Sequence, residues 1–260
     1  KATPLLLLLY FLWRRMWLAA AAMVCVAIAA TLLPDLISPN PAGKLWVQSW
    51  IDSFVSKVDV AAAPEAEGAW VAWNPLNQSL SGSVHRWFTP APADQVNVAR
   101  FALSAPAIRR ITLAIEALVL LLIAWPTRPI PPRAAREVPR GEYFLAHYSL
   151  VLCGMLLLSP MSSTPHFCAL LAPIAVLAAE AFRQPPCRAA VAGLVVIFFL
   201  GALSARDVIG RFLADRIQAA GGATLCALAC LVFVAWVARN WVAAAPSTEP
   251  SSPASQGDCR

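Results

Sequence analysis

The stretch NPLNQSLSGSVHRWF, residues 74–88, places amide, imidazole and guanidinium side chains within one short segment. Asn77 and Gln78 carry the amides, and His85 and Arg86 carry the imidazole and the guanidinium. All four side chains form hydrogen bonds, and the fork of an arginine suits a phosphate group. The stretch therefore predicts a binding surface for a polar or anionic ligand. The competing interpretation is an ordinary polar face exposed to water.

The same stretch fits a short surface helix. Asn74 is a suitable N-cap, and Pro75 suits the first helical position. At helical spacing, the apolar residues form one stripe and the polar residues occupy the opposite arc. The stripe contains Leu76, Leu80, Val84, Trp87 and Phe88, and the arc contains Gln78, Ser81, Gly82, His85 and Arg86. We expect a helix that begins at Pro75, buries the stripe and presents the polar arc to the space above the membrane.

The composition of the whole chain indicates a membrane protein. Of 260 residues, 59% are hydrophobic and 13% are charged, whereas soluble domains have roughly 45–50% apolar and about 25% charged residues. Long charge-poor runs alternate with short segments rich in Arg and Pro, as in polytopic helical membrane proteins. The net charge of +6 does not indicate a nucleic-acid-binding protein, because the arginines lie at the ends of the apolar runs. The predicted fold class is an all-α transmembrane bundle.

Candidate spans can be assigned from the apolar runs, each close to the expected length of about 20 residues. They are 16–34, 107–126, 143–160, 166–182, 189–205 and 223–238. Residues 4–13 are apolar but too short to cross a hydrocarbon core of about 30 Å. Because the first residue is Lys1 instead of Met and this first apolar run is so short, we expect the chain to be the C-terminal portion of a longer protein. Residues 1–245 are predicted to form the transmembrane domain, and the Ser/Pro-rich residues 246–260 a disordered tail.

The arginines at the ends of the spans predict the orientation, because Lys and Arg accumulate in cytoplasmic loops. If Arg14 and Arg15 are cytoplasmic, alternation places the run 128–140, Arg183 with Arg188, and Arg239 on the same side. Segment 38–106 and the loops 160–165 and 206–222 are then extracytoplasmic. We expect a multi-pass protein of the cytoplasmic membrane.

The long outer segment contains a second amphipathic stretch, KLWVQSWIDSFVSKV. Its apolar residues recur at helical spacing, with polar residues opposite them. They are Val47, Trp50, Ile51, Phe54, Val55 and Val58. Such a helix either lies in the membrane interface or packs on the transmembrane bundle, and the sequence leaves both interpretations open.

Three segments together resemble a known family: KATPLLLLLYFLWRRMW, NQSLSGSVHRWF and LLLSPMSSTPHFCALLAPIAVLA. Their order and spacing are similar to those of the C-terminal half of glycosyltransferase family 87. Members are GT-C-type membrane glycosyltransferases that use polyprenyl-phosphate sugars, typically mannose. The chain departs from many members after the second motif, where SSTPHF contains one histidine instead of a Trp and paired histidines.

The resemblance implies roles for particular residues. Asn77, Gln78, His85 and Arg86 would line the donor site, with Ser162 and His166 contributing from the second motif. The general base, an acidic residue of the first outer loop, is expected upstream of Lys1, so this chain alone could be inactive. The implied partners are a polyprenyl-phosphate sugar, a lipid or glycan acceptor and membrane lipids. No cofactor or metal ion is implied.

Two other functions remain open. A transporter or flippase of a lipid-linked or amphiphilic solute would account for Glu116 inside a predicted span and for the prolines near helix ends. Glu116 could equally form a structural hydrogen bond between helices. A catalytically inert membrane scaffold is the third possibility.

Overall fold

The computed structural model describes residues 5–53, 55–57, 72–93, 95–128, 140–203 and 205–244. These residues form helices and connecting turns, with no β-strand among them. The α-helices are α1 (Leu5–Trp13), α2 (Trp17–Ile37), α3 (Trp46–Ser53), α4 (Leu80–Phe88), α5 (Ala105–Thr127), α6 (Arg140–Leu157), α7 (Leu171–Ala181), α8 (Arg188–Ala202), α9 (Arg206–Ile209), α10 (Arg211–Ala219) and α11 (Gly222–Ala244). Short 3-10 helices cover Val55–Lys57 and Thr164–Leu170. The predicted tail 246–260, Phe54, Val58, Arg133 and Arg136 lie outside the described residues.

Helix α11 is the centre of the bundle and packs against α5, α6, α7 and α8. Its buried face is built from small and branched residues, among them Ala227, Leu231, Val234 and Ala238. Small side chains let neighbouring helices approach closely where the hydrophobic effect supplies no driving force. At Gly193 of α8, an added Cβ would lie 2.7 Å from Cγ of Phe233. The pair α8–α11 is therefore held at close range by a glycine.

The predicted all-α membrane bundle is confirmed, although the spans differ in detail. Within the described residues, three helical segments are long and apolar enough to cross a membrane: Trp17–Ile37, Thr164–Ala181 and Gly222–Trp241. Helix α5 has 23 residues but includes Arg109, Arg110 and Glu116. Helices α6 and α8 are apolar over Gly141–Leu157 and Arg188–Ala202, which are shorter runs. The span predicted at 166–182 begins as a 3-10 helix and becomes α-helical only at Leu171.

One end of the bundle gathers the arginines that alternation assigns to the same side. Arg14 donates hydrogen bonds to the carbonyl oxygens of Thr127 and Arg128. Arg183 pairs with Glu142 and Glu180. Arg239 stacks on the ring of Trp125, with 5.4 Å between Cζ and the ring centroid. This grouping agrees with the predicted alternation of loops. That this end is cytoplasmic stays a prediction.

Helix α3 is shorter than the predicted amphipathic helix and lies beside the end of α2. Asp35 Oδ1 accepts a hydrogen bond from the backbone N–H of Trp46 at 2.9 Å, and the indole of Trp46 donates to the carbonyl of Ser38 at 2.7 Å. Trp50 and Ile51 are exposed. Exposed large apolar residues on an amphipathic helix favour its location in the membrane interface over packing on the bundle.

Candidate functional site

Helix α4 starts later than its sequence predicts. Ser79 is the N-cap, since its Oγ accepts a hydrogen bond from the backbone N–H of Gly82 at 3.0 Å. Asn74 Oδ1 instead accepts from the backbone N–H of Leu76 at 2.9 Å, and Asn77 Oδ1 accepts from that of Ser79 at 3.1 Å. Asparagine side chains that bond to the backbone two residues ahead stabilise turns in place of helix. The prediction of a helix from Pro75 was therefore wrong by about one turn.

The cap itself gives a first prediction. Ser79→Ala removes the acceptor for the N–H of Gly82, and we expect it to lower the free energy of unfolding by about 1 kcal/mol. Thermal unfolding of the purified protein in detergent micelles measures this loss. Ser104→Ala is the matched control, because Ser104 is the N-cap of α5 but forms no side-chain capping bond. Equal losses in the two variants would contradict the capping role of Ser79.

The polar arc of α4 does not face outward. The expectation that it is presented to the space above the membrane was therefore wrong. Gln78 and Arg86 are 1% and 2% exposed, whereas Leu76 of the predicted apolar stripe is 46% exposed. Leu80 and Val84 pack against Ile108 of α5, as the stripe predicts. The polar side is covered by the end of α10 and the start of α11. The helix is thus buried on both faces.

Gln78 links three parts of the chain through its backbone and side chain. Its N–H donates to the carbonyl oxygen of Ser162 at 2.6 Å. Its Nε2 donates to the carbonyl oxygens of Pro75 and Gln218 at 2.6 and 2.7 Å. Its Oε1 accepts from the N–H of Ala223 at 3.2 Å. Gln78 therefore joins the α4 segment to the second motif and to the α10–α11 turn.

Arg86 is a buried guanidinium surrounded by backbone carbonyls. Nε donates to Ala219 O at 2.6 Å, and Nη1 donates to Ala72 O at 2.7 Å and Asn74 O at 3.3 Å. Nη2 has one long contact, 3.4 Å to Ser83 Oγ. Ala219 is the last residue of α10, so Arg86 places a cation at the negative end of that helix dipole.

The charge of Arg86 has no carboxylate partner within the part of the chain that the structure describes. Burial lowers the pKa of the guanidinium from 12.5 to about 10. The group is therefore still protonated at neutral pH. A buried cation that is stabilised by carbonyl and hydroxyl dipoles keeps its net positive charge, and that charge can attract an anion.

His85 lies at the edge of this cluster, half-buried against Trp73 with 4.9 Å between ring centroids. Burial lowers its pKa below 6.5, and the charge of Arg86 lowers it further. Below about pH 6.5 the unfolded chain therefore binds a proton at His85 more readily than the folded protein does. Protonation then favours the unfolded chain, so the folded protein loses stability as the pH falls. His85 is neutral at pH 7.

A pH series tests this shift. We expect the melting temperature of His85→Gln to fall less than that of the wild type between about pH 7.5 and about pH 5.5, because only the wild type loses stability through His85. The measurement is thermal unfolding of both proteins in the same detergent. Parallel curves for the two proteins would show that the pKa of His85 is not lowered.

The second motif contributes Ser162 to the cluster, but His166 performs a different task. Ser162 is buried, and its Oγ donates to the carbonyl oxygen of Leu156 at 2.8 Å. His166 is exposed, and its Nδ1 accepts from the backbone N–H of Ser163 at 3.0 Å. That bond belongs to a capping box at the start of Thr164–Leu170. The structure thus brings Asn77, Gln78, Arg86 and Ser162 together; their roles in substrate binding stay predictions.

Sequence reasoning missed the residues that cover α4. The carbonyls of Gln218, Ala219 and Ala220 accept bonds from Gln78, Arg86 and the indole of Trp87. Thr224 Oγ1 donates to the carbonyl of Gln78 at 2.8 Å. The available signal was the pair Gly221–Gly222, which marks a turn. Because every residue type has a backbone carbonyl, a segment that supplies such acceptors cannot be recognised from its sequence.

The site contains hydrogen-bonding groups and one buried cation, and the described residues include no group of His, Cys, Asp or Glu that could hold a metal ion. Such a set can bind and orient a polar or anionic ligand.

Comparison with known proteins gives the family. The family model of glycosyltransferase family 87 matches residues 1–160, which include α1 to α6 and the stretch 74–88 but end before Ser162 and His166. No curated protein and no solved structure matches the chain significantly. Since the match covers more than half of the 260 residues, the chain belongs to glycosyltransferase family 87, a family of membrane glycosyltransferases.

Proposed function

We propose that the protein transfers a hexose, most simply mannose, from a polyprenyl-phosphate sugar to a lipid or glycan acceptor at the α4 end of the bundle. In this proposal the enzyme has the GT-C organisation, and the α4 end faces the outer side of the cytoplasmic membrane. The observation that carries it is the buried Arg86, a cation without a carboxylate partner among the described residues, inside the segment that the family match covers.

The guanidinium of Arg86 has a free capacity for one more acceptor. Nε and Nη1 donate to backbone carbonyls, whereas among the described residues Nη2 has only the 3.4 Å contact with Ser83 Oγ. A donor phosphate that approaches Nη2 would gain a charge-assisted hydrogen bond. The phosphate gains negative charge as the glycosidic bond breaks, and fixed donors stabilise that charge most strongly in the transition state. Arg86 would thus assist departure of the polyprenyl phosphate.

Other cations lie near the same end and would draw the anionic donor toward it. Arg100 and Arg110 are exposed. They flank the start of α5, and the segment that leads into α5 is tied to α4 by the bond from the N–H of Leu103 to Phe88 O at 2.9 Å. Exposed like charges raise the local potential and the concentration of an oppositely charged ligand. A lipid phosphate at the height of these helix ends would be attracted first and positioned by Arg86 afterwards.

We assign no general base among the described carboxylates of the α2–α3 region. Asp35 caps the N–H of Trp46, and Asp52 pairs with Lys44 at 3.2 Å. Each carboxylate has one oxygen engaged within the chain, and Oδ2 of Asp35 is buried without a partner among the described residues, so we assign neither group as the base.

The test compares two donors in membranes that express the complete reading frame. Labelled polyprenyl-phosphate mannose should transfer its sugar to an endogenous acceptor, whereas labelled nucleotide-linked mannose should not do so when synthesis of the lipid-linked donor is blocked. Transfer from polyprenyl-phosphate glucose but not mannose would change the sugar and keep the donor class. Transfer from the nucleotide sugar alone would overturn the proposal. Movement of the intact donor across vesicles, without sugar transfer, would favour a flippase.

A further inference from the structure

The segment between α8 and α11 is not the simple loop that the sequence suggested at 206–222. It contains two helices, α9 and α10, which are joined at Gly210. The inner face of α10 is closed by Ala214 and Ala219, which are 0% and 2% exposed. Its last two carbonyls and that of the next residue, Ala220, accept the bonds from Gln78, Arg86 and Trp87. The inner side of this helix pair therefore supports the α4 cluster.

The outer side of α9–α10 presents large apolar residues that remain largely exposed. Val208 is 65% exposed, Phe212 74% and Leu213 47%. On a helix in water, such residues would be unfavourable, since each buried aliphatic or aromatic side chain is worth roughly 1.5–3 kcal/mol relative to the exposed state. An apolar environment at this face, in place of water, would account for the exposure of these side chains.

The position of the pair in the fold identifies that environment. Helix α8 ends at Ala202 and α11 begins at Gly222, and these two apolar helices pack side by side. Few residues separate α8 from α9, and Ala220 and Gly221 alone separate α10 from α11. A helix as short as α10 is only about 14 Å long. The pair is therefore confined to the height at which the apolar helix α11 leaves the membrane.

The charged residues of α9–α10 also fit a position where α11 leaves the membrane. Asp215 accepts bonds from Arg206 at 2.8 Å and lies 3.8 Å from Arg211. Arg216 instead stacks on Phe212, with 4.6 Å between Cζ and the ring centroid. An arginine that covers an aromatic ring while its guanidinium stays polar is suited to the boundary between acyl chains and headgroups.

We infer that α9–α10 is a lipid-docking element that lies in the phospholipid headgroup layer. Val208, Phe212 and Leu213 insert among the upper acyl chains, and Arg216 contacts lipid phosphates. Because the carbonyl end of α10 holds Gln78, Arg86 and Trp87, this contact with lipid sets the depth of α4 relative to the membrane surface. The inference does not depend on the identity of the sugar donor.

Photo-cross-linking at phenylalanine positions tests the inference in the full-length protein. A benzophenone analogue of phenylalanine replaces Phe212 in one variant, and each protein is reconstituted into vesicles of phosphatidylethanolamine and phosphatidylglycerol with labelled acyl chains. Phe198, 68% exposed on α8, is the lipid-facing reference. Phe88 is the protein-facing control, since its ring lies 5.4 Å from that of Phe101. We expect lipid labelling at position 212 to approach that at 198 and to exceed that at 88 several-fold.

A second position guards against an effect of the analogue itself. Placing the analogue at Leu213 should also give a lipid adduct, because the side chains at 212 and 213 are both exposed. Lipid labelling at 212 and 213 no higher than at 88, with labelling at 198 intact, would overturn the inference. Protein adducts at 212 and 213 in place of lipid would overturn it as well, and would identify a protein as the occupant of this face.

Discussion

Arg86→Ala is expected to slow sugar transfer strongly and to destabilise the protein, by separate effects. The substitution removes the described donor of the carbonyls of Ala72 and Ala219, whereas the carbonyl of Asn74 keeps the N–H of Asn77. Each buried acceptor without a partner costs about 1–3 kcal/mol, so the loss of stability is on the order of 3 kcal/mol. Loss of a fixed donor to the departing phosphate lowers the transfer rate by roughly 100-fold or more. Thermal unfolding measures the first effect, and transfer per mole of membrane protein the second.

Two variants separate these effects. Arg14→Ala is the matched control, because Arg14 also donates to two backbone carbonyls, Thr127 O and Arg128 O, but at the opposite end of the bundle. It should lower stability and leave transfer per folded molecule unchanged. Arg86→Lys keeps the charge and loses the fork, so it should retain part of the transfer activity with a raised KM for the donor. Wild-type transfer by Arg86→Ala at equal protein would remove Arg86 from the donor site.

Gly221→Ala is expected to be the most disruptive single-methyl substitution in the site. Gly221 has φ +83°, and an added Cβ would lie 2.5 Å from Ser83 Oγ and 2.9 Å from Ser83 Cβ. A left-handed conformation costs a residue with a Cβ about 1–2 kcal/mol, and overpacking adds about 1–3 kcal/mol. We expect a loss on the order of 3 kcal/mol, measured as a lowered melting temperature in detergent.

Gly43→Ala isolates the conformational part of this loss. Gly43 has φ +67°, but no atom lies within 4 Å of the position that an added methyl group would take. It should therefore lose only the smaller, conformational term. Combining Gly221→Ala with Ser83→Gly should cost less than the sum of the two single changes, because removing the Ser83 side chain relieves the collision. Additive losses would show that α4 does not contact the α10–α11 turn as described.

Much of the membrane fold follows from composition and periodicity. The apolar runs predict α2, α5, α6, α8 and α11 to within a few residues, since lipid requires every backbone group to be bonded inside a helix. The stripe of α4 also predicts the burial of Leu80 and Val84. The start of α4 was misplaced because Asn74 and Ser79 are both good caps, and hydrogen bonding of Asn74 to Leu76 decides between them. Local helix propensity alone does not decide which of two such residues becomes the N-cap.

The sequence by itself determined that this chain is a helical membrane protein of glycosyltransferase family 87, and that amide, imidazole and guanidinium groups lie together in the stretch 74–88. Only the tertiary structure decided that Gln78 and Arg86 are buried beneath the α10–α11 turn, and that α9–α10 faces outward with Phe212 exposed. The reason is physical. Helix periodicity depends on side chains close in sequence, whereas Gln78 and Arg86 each also donate to a backbone carbonyl more than one hundred residues away, Gln218 O and Ala219 O, and every residue type supplies such a carbonyl alike.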